Sequence, residues 1–185
     1  MVTPTFDISG HSGRGAARRT RSDDQLLRHR LDVIAADTAD AVQTAGGWLF
    51  DRVMAGWQVN VLLPPHCDHR PLRILGAHVG DLASDLEDLD LDGPLSQGLA
   101  VSAQALTADD RVRELVHAAL GNRLTEVALW GDARPLGVDR RLTRTEYQLG
   151  AAARAFKAQA LRAAEIPCSA VSLVETLYTD AAWLD

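Results

Sequence analysis

Lysine is almost missing from this sequence. Lys157 stands alone against 18 arginines, and there are only two cysteines and nine aromatic rings in 185 residues. With so few aromatics, a core has to be built mainly from Leu, Val and Ala. The arginine bias, with abundant Ala, Asp and Leu, fits a GC-rich bacterial genome and speaks to ancestry, not mechanism. Cys67 and Cys168 lie about a hundred residues apart. Two such thiols form no zinc-ligand framework by themselves. Nothing after Met1 resembles the apolar region of a secretory signal, so reduced thiols in a cytoplasmic protein are expected. Uncharged stretches around 53–67 and 93–108 fall short of the roughly 18 apolar residues of a membrane span and carry Gln, Asn or Pro.

The formal charge is −6, and an acidic body repels a polyphosphate chain. Arg14, Arg18, Arg19 and Arg21 stand against Asp7 alone in the first 22 residues. Nucleic-acid binding is therefore not expected, since it would rest on that small tail. A Gly-, Ser- and Arg-rich terminus reads as solvated disorder. The division expected is a flexible tail over 1–21 and one α/β domain over 22–185, a length that buries a core without disulfides or metals.

Ser22 opens a capping box, and Leu27, Leu31, Ile34, Thr38, Ala41 and Ala45 recur at helical steps. Gly46-Gly47 predicts a break before a second helical stretch, Trp48 to Ala55. Trp57, Val59, Val61 and Leu63 alternate as a strand does, and Pro64-Pro65 stops it. A second apolar run, Leu72 to Leu75, reads as a strand pairing antiparallel with the first, since seven or eight residues are too few for a crossover helix. Residues 81–89 suggest a short acidic helix. Leu99–Leu106, a helix with Val112, Leu115, Val116, Ala119 and Leu120 on one face, and Glu126–Trp130 form a strand–helix–strand unit of βαβ length. Thr143 and Glu146 cap an Ala-rich helix over 147–165, with Leu149, Ala152, Phe156 and Ala160 on its packing face. Ala170 to Val174 reads as a last strand. The sum is a single-domain α/β sandwich, its mixed, mostly parallel sheet of about five strands flanked by helices.

Three local motifs invite chemistry. His66, Cys67, Asp68 and His69 offer imidazole, thiolate and carboxylate, all proper ligands for zinc or iron. Adjacent residues rarely converge on one ion, so a site would need His78, His117 or Cys168. Bracketed by Pro64-Pro65 and Pro71, the segment reads more economically as a polar turn. His66, Asp68 and His69 are the catalytic candidates it supplies, and no metal site is assigned. Asp88, Asp90, Asp92 and Gly93 match the first half of a calcium loop. Leu99 replaces the bidentate glutamate, which removes two oxygens and a charge. GAHVGD at 76–81 matches neither phosphate-loop spacing and has no lysine. No nucleophile elbow is present, and His117 reads as a surface residue. Trp183, with Tyr178 and Leu184, could dock on a partner subunit.

AGGWLFDRVMAGWQVNVLLPPHCDHRPLRILGA, then TEVALWGD and ARAFKAQAL, resembles conserved-hypothetical proteins of actinobacteria, mycobacterial in type, over most of 24–165. The resemblance implies a cytoplasmic actinobacterial protein and supplies no activity or site residue. With no recognised catalytic constellation, the expectation is a non-enzymatic protein that binds a small-molecule ligand or a protein partner, with a homodimer among its options and no cofactor. The alternative is a small metal-dependent or His/Asp-assisted enzyme built on the His66–His69 loop.

Overall fold

The structure is a computed structural model and describes residues 29–89, 96–121, 125–132 and 142–180. The expected tail over 1–21, the Ser22 cap, Asp90–Gly93 of the calcium-like run and Trp183 lie outside the described residues. In chain order the elements are β1 (Arg30–Ile34), α1 (Thr38–Met54), β2 (Gln58–Leu63), α2 (Arg70–Ile74), β3 (His78–Asp81), α3 (Leu82–Asp85) and β4 (Ser96–Ser102). There follow α4 (Ala103–Ala108), α5 (Asp110–Gly121), β5 (Glu126–Trp130), β6 (Thr143–Gln148), α6 (Ala151–Ala163) and β7 (Val174–Thr179).

The strands form one sheet in the order β3-β2-β1-β4-β5-β7-β6. The first five are parallel; β7 runs antiparallel to β5 and to β6. The α/β class is the expected one, with seven strands instead of about five. Leu31, Val33, Val59, Val61 and Leu63 face α1 and α6, whereas Ile34, Leu62, Leu99, Val101, Val127 and Leu129 face α5. Both faces are covered, so central strands read as nearly unbroken apolar runs.

That burial explains where the periodicity misleads. Leu31 and Ile34, at a helical step, belong to the strand RLDVI, which is buried on both faces; the helix starts only at Thr38. Asp37 caps it, its Oδ1 accepting the Asp40 N–H at 2.8 Å. The helix then runs through Gly46-Gly47 without the expected break. Leu72 to Ile74 is helical, not a strand, because Pro71 sits in the first turn of α2, where a missing N–H costs nothing. The strand that follows is β3, and it pairs parallel with β2, Asn60 opposite His78. One and a half turns of helix plus loops suffice for this crossover. The β4–β5 pairing is parallel, with Leu99 opposite Val127, as the strand–helix–strand reading requires.

The last third shifts as well. Residues 143–148 form an edge strand, and the Ala-rich helix begins after Gly150. Its buried face is Ala153, Lys157, Ala160 and Leu161, one step round from the expected stripe. Phe156 is substantially exposed and stacks on Phe50, ring centroids 4.4 Å apart. The final strand lies at Val174–Thr179, four residues beyond the expected start.

Candidate functional site

Successive crossovers place α1 on one face of the sheet and α5 on the other, so the strand order reverses between β1 and β4. In open parallel sheets the crevice outside the carboxyl ends of the strands at such a point is where ligands bind. Here that edge carries Asp37, Thr38 and Asp40 after β1, the His66–His69 loop after β2, Ser102 after β4 and Gly131-Asp132 after β5.

The loop is anchored to the first residue of α1, just after β1, by a hydrogen bond. Thr38, nearly buried, donates from Oγ1 to the Asp68 carbonyl at 2.7 Å. Asp68 Oδ1 accepts the Arg70 N–H at 2.9 Å, and Arg70 Nη2 donates to the Ala163 carbonyl at 3.0 Å. A cavity of about 370 Å³ results, lined by Asp37, Thr38, Cys67, Asp68, Arg70 and the end of α6. Of the catalytic candidates, Asp68 reaches this cavity; His66 and His69 do not line it.

His66 is exposed and holds φ at 75°, a left-handed conformation, after Pro65. A proline followed by positive φ is the pattern of a type II turn, whose second central position favours glycine. The imidazole therefore sits where its backbone is mildly strained. Replacing it tests the turn reading: His66→Gly should hold or raise stability, by up to about 1 kcal/mol in urea unfolding. A clear loss would mean that the ring has a role the turn does not explain.

Asp40 is the best-held carboxylate of the edge. Its Oδ1 accepts from Trp130 Nε1 at 3.1 Å and its Oδ2 from the Ala36 N–H at 3.3 Å. These bonds tie the ends of β1 and β5 together across β4. Nothing in the sequence joined residues 40 and 130; their meeting depends on strand order.

Among the described residues no three of His, Cys, Asp or Glu converge on a point. His78 is exposed on the edge strand β3, His117 is exposed on α5 across the sheet, and Cys168 donates to the Ala170 carbonyl. None joins the loop as a further ligand. Asp88 stands at the edge of the described residues, and the rest of the calcium-like run is outside them.

A second cavity, about 500 Å³, lies a short way along the same edge. Strand β7 pairs with β5 at Tyr178 and Thr179, so its first half runs past the end of β5. The notch this leaves is lined by Gln43, Asp132, Arg144, Lys157, Glu175 and Tyr178, among others. Lys157 and Glu175 are buried and paired at 2.5 Å. Glu175 also accepts the N–H groups of Gly47 at 2.9 Å and Trp48 at 2.7 Å, while Lys157 Nζ donates to the Gln43 carbonyl at 2.6 Å. In an uninterrupted helix the Gln43 carbonyl is the partner of the Gly47 N–H. Here each of these two groups also meets a member of the ion pair. Glycine at 47 leaves no side chain in the way; a Cβ there would lie 2.5 Å from Leu149 Cδ1. Burial pushes the Glu175 carboxyl above its usual range, against the opposing pull of Lys157 and the two N–H groups. The signal for this pair was present: the lone lysine, and a glutamate alternating with Leu177 and Thr179 on a buried strand face.

No family model matches the sequence, and no curated protein matches it. Solved structures do. The zinc-inhibited form of the teicoplanin deacetylase Orf2 superposes with a TM-score of 0.54 at 14% identity, covering 81% of this chain and 97% of that one. A triple mutant of the deacetylase of the teicoplanin pathway gives 0.55 at 17% identity, covering 81% and 97%. The A40926 pseudoaglycone deacetylase Dbv21 gives 0.54 at 16%, covering 82% and 96%. The chain therefore shares the fold of these deacetylases along nearly their whole length. This corrects the expectation of a non-enzymatic regulatory or partner-binding protein. That expectation drew its support from missing motifs, and the architecture behind it is one that enzymes use. No helix among the described residues is long and apolar enough to cross a membrane.

Proposed function

We propose that the chain is a hydrolase that removes an acyl group from a small molecule, at the carboxyl edge beside the His66–His69 loop. The observation that carries this reading is the Thr38–Asp68 hydrogen bond, which joins the loop to the start of α1 and gathers Asp37, Asp68 and Arg70 around one cavity. The fold shared with small-molecule deacetylases supports the reaction class by analogy.

Asp37 acts as general base. One of its oxygens is occupied by the Asp40 N–H, and the carboxylate is exposed at the cavity rim, where it accepts a proton from an attacking water. The water oxygen adds to the acyl carbon, and the Arg70 guanidinium balances the charge developing on the acyl oxygen. Collapse breaks the bond from carbon to nitrogen, and the proton passes from Asp37 to the leaving amine. Asp68, fixed by the Arg70 N–H, holds the loop and orients Arg70.

The test is release of free acid from a panel of N-acylated small molecules. Asp37→Asn keeps a good helix cap and should leave the melting temperature in place while lowering kcat by about 10²–10⁴-fold. Absence of turnover across the panel, with and without added zinc, overturns the proposal. So does an Asp37→Asn variant that keeps the wild-type rate.

A further inference from the structure

We infer that the notch beside β5 is a second binding site, one that takes the carboxylate of a small organic acid between Lys157 and Arg144. The argument rests on which hydrogen-bonding groups in the cavity are already used. Glu175 is largely engaged: its two oxygens accept three hydrogen bonds, from Lys157, Gly47 and Trp48. It has little to offer a ligand. Lys157 Nζ carries three N–H donors and uses two, on Gln43 and Glu175. Arg144 carries five and uses two, on Glu146 at 2.8 Å and Thr176 at 3.4 Å. The two cations that line the cavity therefore hold four spare donors between them, against one acceptor site left on Glu175. Such a surplus calls for a ligand rich in acceptors.

Charge and access agree with this. Lys157 and Glu175 cancel as a buried pair. The Arg144–Glu146 pair is about half exposed on both sides, and an exposed pair of this kind is worth little, so a ligand carboxylate can displace it. Asp132, also in the lining, limits the negative charge tolerated and favours a singly charged acid over a polyanion. Gln43, Thr44, Ser172, Thr176 and Tyr178 supply neutral polar contacts suited to hydroxyls. The lone lysine sharpens the case. The sequence uses arginine at every other basic position, and an ammonium is a compact point charge with rotatable donors that the planar guanidinium fork does not reproduce. The site is separate from the cavity at Asp37 and does not depend on the acyl-hydrolase reading.

Because there is one lysine, isotope labelling of lysine gives a single side-chain signal. Titration of the full chain with lactate, glycerate and gluconate should shift that signal saturably, and glycerol should not. Arg144→Gln, an exposed change, should weaken binding at least tenfold while the folded spectrum persists. Asp37→Asn should leave it unchanged, which separates this site from the hydrolytic one. A lysine signal that none of the acids moves overturns the inference. Binding that survives Arg144→Gln overturns it too, as does an equal response to inorganic phosphate, which would mark a general anion patch.

Discussion

Replacing Glu175 by leucine should cost about 3–5 kcal/mol of stability, because it leaves a buried ammonium without its counter-charge. The Lys157–Glu175 pair is almost wholly removed from solvent, so hydration replaces little of the lost contact. The Gly47 and Trp48 N–H groups lose their acceptor in the same step. For a chain of this size the loss should lower the melting temperature by roughly 6–20 °C, measurable by calorimetry or urea unfolding. The informative partner is the double change Lys157→Met/Glu175→Leu. With both charges gone no buried ion is left unpaired, and much of the stability should return, since apolar replacements of buried ion pairs are often neutral or better. If the single change costs under about 1 kcal/mol, the pair does not hold α1 as described. If the double variant is no better than the single, the hydrogen bonds from the pair to the α1 backbone are what stabilises the helix.

Trp130→Ala should cost a comparable 3–5 kcal/mol. The ring is fully buried at the end of β5 and packs in the layer facing α1. Its Nε1–H also holds Asp40, and through Asp40 the end of β1. Trp130→Phe separates the two contributions. It keeps most of the packing and removes the donor, so it should cost about 1–3 kcal/mol, the penalty for an acceptor left short of a partner. On the hydrolytic reading it should also lower activity, because Asp40 shares the first turn of α1 with Asp37. Equal stability of the phenylalanine variant and the wild type would show that the Trp130–Asp40 bond contributes nothing.

Much of the fold was legible wherever one apolar pattern had one interpretation. EVALW at 126–130 is a strand as read, the stripe through Val112 and Val116 is a helix, and their order after β4 gives a parallel crossover. Reading failed where two periods coincide. Leu31 and Ile34 fit a helical step, yet they sit in a strand covered on both faces. Leu72 to Leu75 fit a strand by composition, yet Pro71 opens a helical turn there. A chain segment obeys its burial, and a short run does not state how many of its faces will be covered.

The loop at 66–69 divides along the same line. That it is a polar, proline-bounded turn followed from its residues, and His66 at the left-handed position bears the turn out. That Asp68 and not the histidines reaches the cavity followed from Thr38, thirty residues away. The sequence by itself determined the α/β class, the strand–helix–strand unit and the oddity of one lysine among nineteen basic residues. Tertiary structure alone decided that this lysine meets Glu175 against the α1 backbone, that Trp130 clasps Asp40, and that β7 overruns β5 to open a cavity. Each of these joins residues from separate elements, and such distances are set by strand order and helix packing, which no local pattern encodes.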